Sequence, residues 1–201
     1  MKYEKIAQNK KAYNQMGIDY LRNRQELGSK KYVRKFFALL EPQSSILDLG
    51  CGAGEPVDDF LIKKGHLVTG IDISETQINL ARQKCPRGAF LVKDISELKE
   101  GEFSVDAIIS LYTIFHVPRE QHGKLLKVIA SFLPTGGKLL ITMGDKDFEQ
   151  DHDLHGQIVW SSHYSTKKNR QLVEEAGFDV LLDEVSEAGR EKHQFILAEK
   201  K

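Results

Sequence analysis

Cysteine is scarce in this chain of 201 residues: Cys51 and Cys85 are the only two, and neither has a partner at a metal-ligand spacing. A disulfide scaffold is excluded, no metal site is expected, and a reducing cytoplasm is the expected compartment. Net charge is also lacking. Twenty-nine basic and 29 acidic side chains cancel, so no broad electrostatic case for nucleic acid exists. No apolar run approaches the roughly 20 residues of a membrane-spanning helix. The start, MKYEKIAQNKK, lacks the apolar core of a secretory signal. Repeats and low-complexity tracts are missing too. What remains, at 40% hydrophobic content, is enough for one domain with a sizeable core.

The informative stretch is ILDLGCGAGEP, from Ile46 to Pro56. Ile46, Leu47 and Leu49 read as a buried strand, followed by a turn with Gly50, Gly52 and Gly54 that enters a helix. Glycine is required where backbone takes positive φ or approaches a ligand closely. In open α/β sheets, such a turn at the end of the first strand is where nucleoside cofactors sit. The dinucleotide fingerprint is G-x-G-x-x-G; here the third glycine's position holds Glu55, and Asp58 and Asp59 follow. Those two acids serve as helix-dipole partners and would repel a pyrophosphate at the same helix end. A sulfonium with an amino group would tolerate them.

Companions follow in order. LVTGIDIS (Leu67 to Ser74) reads as a second strand ending in Asp72, an acid placed to accept two hydrogen bonds from a ribose diol. AFLVKDIS (Ala89 to Ser96) closes a third strand with Asp94, FSVDAIISLYTIFHV (Phe103 to Val117) a fourth, and LPTGGKLLIT (Leu133 to Thr142) a fifth. Together with D-x-G-x-G-x-G at Asp48 to Gly54, these five segments resemble the class I S-adenosylmethionine-dependent methyltransferases. The resemblance implies a Rossmann-like α/β fold: a seven-stranded, mostly parallel sheet with an antiparallel last strand and helices on both faces. It implies S-adenosylmethionine as cofactor. It gives Asp48, Gly50, Cys51, Gly52 and Gly54 to the cofactor loop, Asp72 to the ribose and Ile73 to the adenine face. Asp94 would accept from the adenine amino group and the Ile95 amide would reach a ring nitrogen. Ser110 and Leu111, after the fourth strand, join the cofactor contacts.

Elsewhere the pattern alternates strands with amphipathic helices. Ser74 to Gln77 is a capping-box pattern, Pro118 to Leu133 carries a helical apolar stripe, and a helix from about Thr166 to Ala176 ends at Gly177. FDVLLDEV and QFILAE, joined by the polar turn SEAGREKH, predict a final antiparallel hairpin. Two helices, about Tyr3 to Arg24 and Ser29 to Leu40, precede the sheet. The expected organisation is therefore one methyltransferase domain over residues 1–201, with a helical cap at 1–42, a cofactor-binding core at 44–142 and a substrate-side insertion at 144–165.

Function-bearing candidates follow from these placements. The resemblance implies an N-terminal helical segment that closes over the cofactor, so Tyr20 and Arg24 on the first helix would approach its methionine end, Arg24 pairing its carboxylate. His116, just past the fourth strand, is the candidate general base, and Tyr112 beside it would face cofactor or substrate. The polar loop from Gly144 to Ser165 holds Trp160, His163 and Tyr164, read as pocket-lining surface for the acceptor. A small-molecule acceptor is expected. Ser110-Leu111-Tyr112-Thr113 stands where relatives that methylate amino groups on bases or glutamine carry a D/N-P-P-Y/F-like tetrapeptide, and no basic stripe exists. Two other classes compete: an NAD(P)-dependent oxidoreductase, which needs the third glycine and a parallel last strand, and a non-catalytic nucleoside-binding module.

Overall fold

The structure is a computed structural model and describes residues 2–23, 28–188 and 191–201. In chain order it contains helices α1 (Lys2–Asn23) and α2 (Lys30–Phe37), strand β1 (Ser45–Leu49), α3 (Val57–Lys63), β2 (Leu67–Asp72), α4 (Glu75–Lys84) and β3 (Ala89–Val92). Then follow β4 (Ala107–Ser110), α5 (Arg119–Ala130), β5 (Lys138–Gly144), β6 (Phe148–Leu154), β7 (Gln157–His163), α6 (Thr166–Glu175), β8 (Phe178–Ala188) and β9 (Glu191–Lys200). Seven strands form one sheet in the order β3-β2-β1-β4-β5-β9-β8. The first five run parallel, and β9 lies antiparallel to β5 from Lys138↔Glu199 to Gly144↔His193. The antiparallel β9 is what the methyltransferase resemblance implied and what the oxidoreductase alternative did not.

Burial on both faces explains why the central strands are short continuous apolar runs. Leu47, Leu49, Ile108, Leu139 and Ile141 point to one side and meet Leu126, Ile129 and Val173 of α5 and α6. Ile46, Ile109, Leu140 and Phe195 point to the other and meet Phe36, Leu61 and Ile78 of α2, α3 and α4. Tyr32 stacks on Phe195 with ring centroids 3.9 Å apart. Fully burying a side chain such as Leu61 or Phe36 stabilises the fold by about 1.5–3 kcal/mol.

The chain winds outward from β1 to β3, then returns to β4 on the other side of β1. This reversal of strand order opens a crevice at the carboxyl ends of β1 and β4, where ligands bind in such sheets. Helix α1 crosses that end and breaks at Gly17 (φ 48°, ψ −129°), a conformation glycine alone adopts without strain. Gln77 Nε2 donates to the Gly17 carbonyl at 2.9 Å, and Asn14 Oδ1 accepts from Ser74 Oγ at 2.7 Å.

Three sequence expectations need correction. The stretch 144–165 is not a polar loop. Its centre is a β6–β7 hairpin, a separate two-stranded sheet turned by His155 (φ 52°) and Gly156 (φ 80°). Two successive positive-φ residues make the tight hairpin turn whose twist suits the flanking strands. The last hairpin is also longer than SEAGREKH suggested, since β8 runs to Ala188 and β9 starts at Glu191. Gln77 does not complete a reciprocal capping box. Its side chain goes to Gly17, and the Ser74 amide donates to Asp72 instead.

Candidate active site

One cavity occupies the crevice. It encloses about 730 Å³ of free space including its open mouth. Its floor begins with the loop after β1. The amides of Gly50 and Cys51 both donate to the Ile71 carbonyl, at 2.7 and 3.0 Å, and so tie this loop to the end of β2. Gly50 and Gly52 both have positive φ, yet for different reasons. A Cβ on Gly50 would overlap the Thr113 side chain, whereas a Cβ on Gly52 would meet nothing nearer than Gln77 Oε1 at 3.9 Å. Gly52 lines the cavity, so the room beside it is room for a ligand.

Asp72 ends β2 in the same floor. Its Oδ2 accepts the Gly52 amide at 3.0 Å and its Oδ1 the Ser74 amide at 2.8 Å. Each oxygen keeps a lone pair for a further donor. Burial pushes the carboxyl pKa up to about 6, against the lowering effect of the two amides. Ile73 lines the cavity next to it, followed by Lys93, Asp94 and Ile95 from the end of β3. Asp94 Oδ1 caps the short 3-10 turn Ile95–Glu97 through the Ser96 amide at 2.8 Å. The Lys93 ammonium pairs with Glu102 at 2.6 Å.

The opposite wall comes from α1 and from the turn after β4. Ile6, Asn9 and Tyr13, spaced 3 and 4 apart, form a helical stripe along the cavity, and Tyr20 joins them from beyond the break at Gly17. Leu111, Tyr112, Thr113, His116 and Val117 face them. Tyr112 holds φ 59°, a left-handed conformation that costs a bulky residue about 1–2 kcal/mol. Its ring packs edge-on against His193, centroids 5.0 Å apart.

His116 joins the two walls. Its Nδ1 lies 2.8 Å from the Trp160 carbonyl oxygen and its Nε2 2.9 Å from Tyr13 Oη. A carbonyl accepts only, so Nδ1 carries the hydrogen and Nε2 accepts from the Tyr13 hydroxyl. Burial pushes the imidazole pKa down to about 4, against the raising effect of the Trp160 bond. The expectation of His116 as a general base is corrected accordingly. Its free lone pair is taken by Tyr13, and it does not titrate near neutrality.

A family model described as a methyltransferase domain matches residues 46–137, from β1 to the edge of β5. Trans-aconitate 2-methyltransferase of Enterobacter sp. (strain 638) is 30% identical over 152 residues, which cover 75% of this chain and 58% of that protein. The chain thus spans a little over half the length of the curated relatives it matches. Among solved structures, 1,6-didemethyltoxoflavin-N1-methyltransferase of Burkholderia thailandensis, with bound 1,6-didemethyltoxoflavin and S-adenosylhomocysteine, aligns with a TM-score of 0.79. The alignment covers 100% of this chain and 91% of that one at 19% identity. Magnesium protoporphyrin IX methyltransferase of Synechocystis PCC 6803 aligns with a TM-score of 0.77 at 19% identity, over 98% and 97% of the two chains. Residues 46–137 thus match a methyltransferase domain, and the chain has the fold of the solved S-adenosylmethionine-dependent methyltransferases.

The cavity gathers Gly50, Gly52, Asp72, Ile73, Asp94, Ile95, Leu111, Tyr20, Tyr112 and His116 from the sequence-based candidates. Others stand behind its wall. Asp48 is buried within β1, and Ser110 donates to the Leu49 carbonyl at 2.9 Å, linking β4 to β1. Cys51 packs beside Gly70 with its thiol pKa raised by burial, which makes it inert packing. Gly54 lies against Cys85, Ala81 and Phe90. Arg24 falls outside the described residues.

The three candidates beyond β5 lie away from the cavity lining. Trp160 is 5% exposed, and its backbone rather than its ring does the visible work: Asn9 Nδ2 donates to its carbonyl at 2.9 Å and its amide donates to Asn9 Oδ1 at 2.8 Å. His163 donates from Nδ1 to the Lys146 carbonyl at 2.6 Å and stacks on Phe148. Tyr164 lies under the Arg119 guanidinium, 5.3 Å from its ring centre. These packing partners hold the hairpin in place as a brace behind His116. Sequence reasoning missed Ile6, Asn9, Lys93, Thr113 and Val117 as cavity residues, and did not assign Tyr13 to it. The helical spacing of Ile6, Asn9 and Tyr13 was the available signal. Among the described residues no three His, Cys, Asp or Glu side chains converge as metal ligands, and no helix is long and apolar enough to cross a membrane.

Proposed function

We propose that this protein is an S-adenosylmethionine-dependent methyltransferase acting on a small molecule. The observation that carries the reading is the Gly52–Asp72 cradle. A glycine with open space where its Cβ would stand faces a carboxylate with spare lone pairs, as an adenosyl ribose requires. Asp72 holds the ribose diol, Ile73 and Leu111 cover the adenine, and Asp94 with the Ile95 amide reads its edge. Tyr20, with Arg24 nearby in sequence, serves the methionine end. Once bound, the cofactor supplies a methyl group already activated by its sulfonium.

The chain's own contribution is placement and exclusion of water. Helix α1 covers the cavity and is fastened on both sides, to the hairpin through Asn9 and Lys5 and to α4 through Asn14. Lys5 pairs with Asp151 at 2.7 Å. We read residues 1–42 as the cap, 44–142 as the cofactor core and the β6–β7 hairpin as its support. Both cysteines are free and buried, which suits a reducing cytoplasm. Balanced charge supports a small-molecule acceptor over nucleic acid.

Calorimetric titration with S-adenosylmethionine and with NAD tests this. Saturable binding of the first alone is expected, and binding of NAD instead would overturn it. Screening acceptor pools for S-adenosylhomocysteine then separates an enzyme from a binding module, because turnover with any pool excludes the module.

A further inference from the structure

Gln77 stands where α4 meets both α1 and the cavity floor, and its carboxamide is divided between them. The side chain is fully buried. Nε2 donates to the Gly17 carbonyl at 2.9 Å, and because a carbonyl only accepts, that bond fixes which way the amide points. Oε1 is left buried with no hydrogen-bond partner among the described residues. It faces the open side of Gly52. Where a Cβ would stand on that glycine, this oxygen is the nearest atom beyond its chain neighbours, at 3.9 Å. Gly52 itself lines the cavity. A buried acceptor left unmet is costly, so one directed at a ligand's space calls for a ligand with a hydrogen to give.

We propose that Gln77 is a cofactor-binding residue whose Oε1 accepts a hydrogen bond from the α-ammonium of S-adenosylmethionine. This deepens the methyltransferase reading and rests on it. The supply of donors on the cofactor selects the ammonium. Each ribose hydroxyl has one hydrogen, and Asp72 takes both; the adenine amino group goes to Asp94. The ammonium hydrogens are what those residues leave over, and a bond from a charged donor is the stronger kind. Position agrees. Gly17, held by Nε2, precedes Tyr20 on α1, and Tyr20 is the cavity residue read at the methionine end. Asn14 fastens α1 to the start of α4 beside Gln77, its Oδ1 accepting from Ser74 Oγ at 2.7 Å and from the Thr76 amide at 3.3 Å. The Gln77 amide in turn donates to Ser74 Oγ at 3.2 Å, so the residue is held at both ends.

Calorimetric titration of two ligands tests this. One is S-adenosylhomocysteine, the other its analogue with hydrogen in place of the α-amino group. Wild type should bind the first about tenfold or more tightly than the second. In Gln77→Met, apolar and of similar length, that ratio should drop about tenfold while the analogue binds as before. Gln77→Glu keeps an acceptor oxygen and should return the ratio to the wild-type value or above. A wild-type ratio near one refutes the proposal without any variant. Equal losses for both ligands in Gln77→Met, or a Gln77→Glu ratio as low as that of Gln77→Met, would show that the side chain serves the packing of α1 alone. If neither ligand binds wild type, the methyltransferase reading itself fails; if both bind and the variant pattern is missing, only the role of Gln77 falls.

Discussion

The Gly52 amide donates to Asp72 Oδ2 at 3.0 Å, across 20 residues of sequence. The acid at the tip of β2 is therefore part of the glycine loop's own structure as well as a ligand group. Its second oxygen holds the Ser74 amide, and Ser74 caps α4. One carboxylate organises the ends of two strands and the start of a helix.

Removing it should consequently do more than weaken one ligand contact. Asp72→Ala is expected to lower cofactor affinity by about 1–3 kcal/mol and to lower stability as well, since two amides lose their acceptor. Asp72→Asn keeps one oxygen for those amides and should be milder for folding than for binding. A wild-type pKa of about 6 adds a pH signature. If the ionised carboxylate is the form that holds the ribose, affinity should fall as pH drops below 6, by up to about tenfold per unit. Calorimetry at pH 5, 6 and 7.5 checks this, with Asp72→Asn expected to be flat. A wild-type protein equally flat would sink the ribose assignment.

Two glycines of the same loop should fail in opposite ways. Gly50→Ala drives a methyl into Thr113, and with its φ of 82° should mainly cost stability, by about 1–3 kcal/mol or more. Gly52→Ala meets no protein atom closer than 3.9 Å, so its folding cost is limited to backbone strain of about 1–2 kcal/mol. Its methyl instead enters the ligand's space, and cofactor affinity should drop more than stability does. Melting temperatures and titrations of the two variants give the comparison. Equal losses on both scales would show that Gly52 is constrained by folding alone.

How much of this was legible in the sequence differs by element. The central parallel strands were, because burial on two faces forces apolar runs such as Ala107 to Ile109, and Ile46 to Leu49 broken only by Asp48, whereas the edge strand β3 is half exposed. Asp72 was, because a strand-tip acid after a glycine loop has few other uses. The β6–β7 hairpin was not. FEQDHDL is polar because only its backbone pairing to β7 makes it a strand, and the one local cue was the His155-Gly156 turn. The links from Tyr13 to His116 and from His116 to Trp160 were also hidden. They span 103 and 44 residues, and the second ends on a carbonyl that every residue possesses. A backbone atom's role leaves no trace in side-chain identity.

Asn9 concentrates the fastening of α1 into one side chain, since it both donates to and accepts from the Trp160 peptide in a buried setting. Asn9→Ala leaves the Trp160 amide without its acceptor, while the carbonyl keeps His116 Nδ1, a loss of about 1–3 kcal/mol. The loss should be local. Amide hydrogen exchange should quicken in residues 2–16 and in β7 while β1 and β2 keep their protection. The same variant should release S-adenosylhomocysteine faster. Exchange that rises uniformly, or not at all, would mean that α1 is held by other contacts.

Acid should unfold this protein from below pH 6.5, and the sign follows from three groups. His116 and His122 are both neutral inside, with pKa values pushed by burial from 6.5 down to about 4. His122 donates from Nε2 to the Val117 carbonyl at 2.9 Å, which fixes the turn carrying His116. Between pH 4 and 6.5 the unfolded chain binds two protons that the native state refuses, so stability falls as pH falls through that window. Asp72 opposes this. Its pKa, raised from 3.8 to about 6, makes the native state the one that holds the proton over nearly the same range. Burial lowers His163 as well and adds to the histidine side. The two protons of His116 and His122 against the one of Asp72 therefore leave a net of at least one, or about 1.4 kcal/mol or more of stability lost per pH unit between 6 and 4. Urea midpoints measured at pH 4.5, 5.25 and 6 give the slope directly. Asp72→Asn removes the opposing group and should steepen it toward two protons, whereas a slope of zero or opposite sign in the wild type would show that the two histidines are not held neutral.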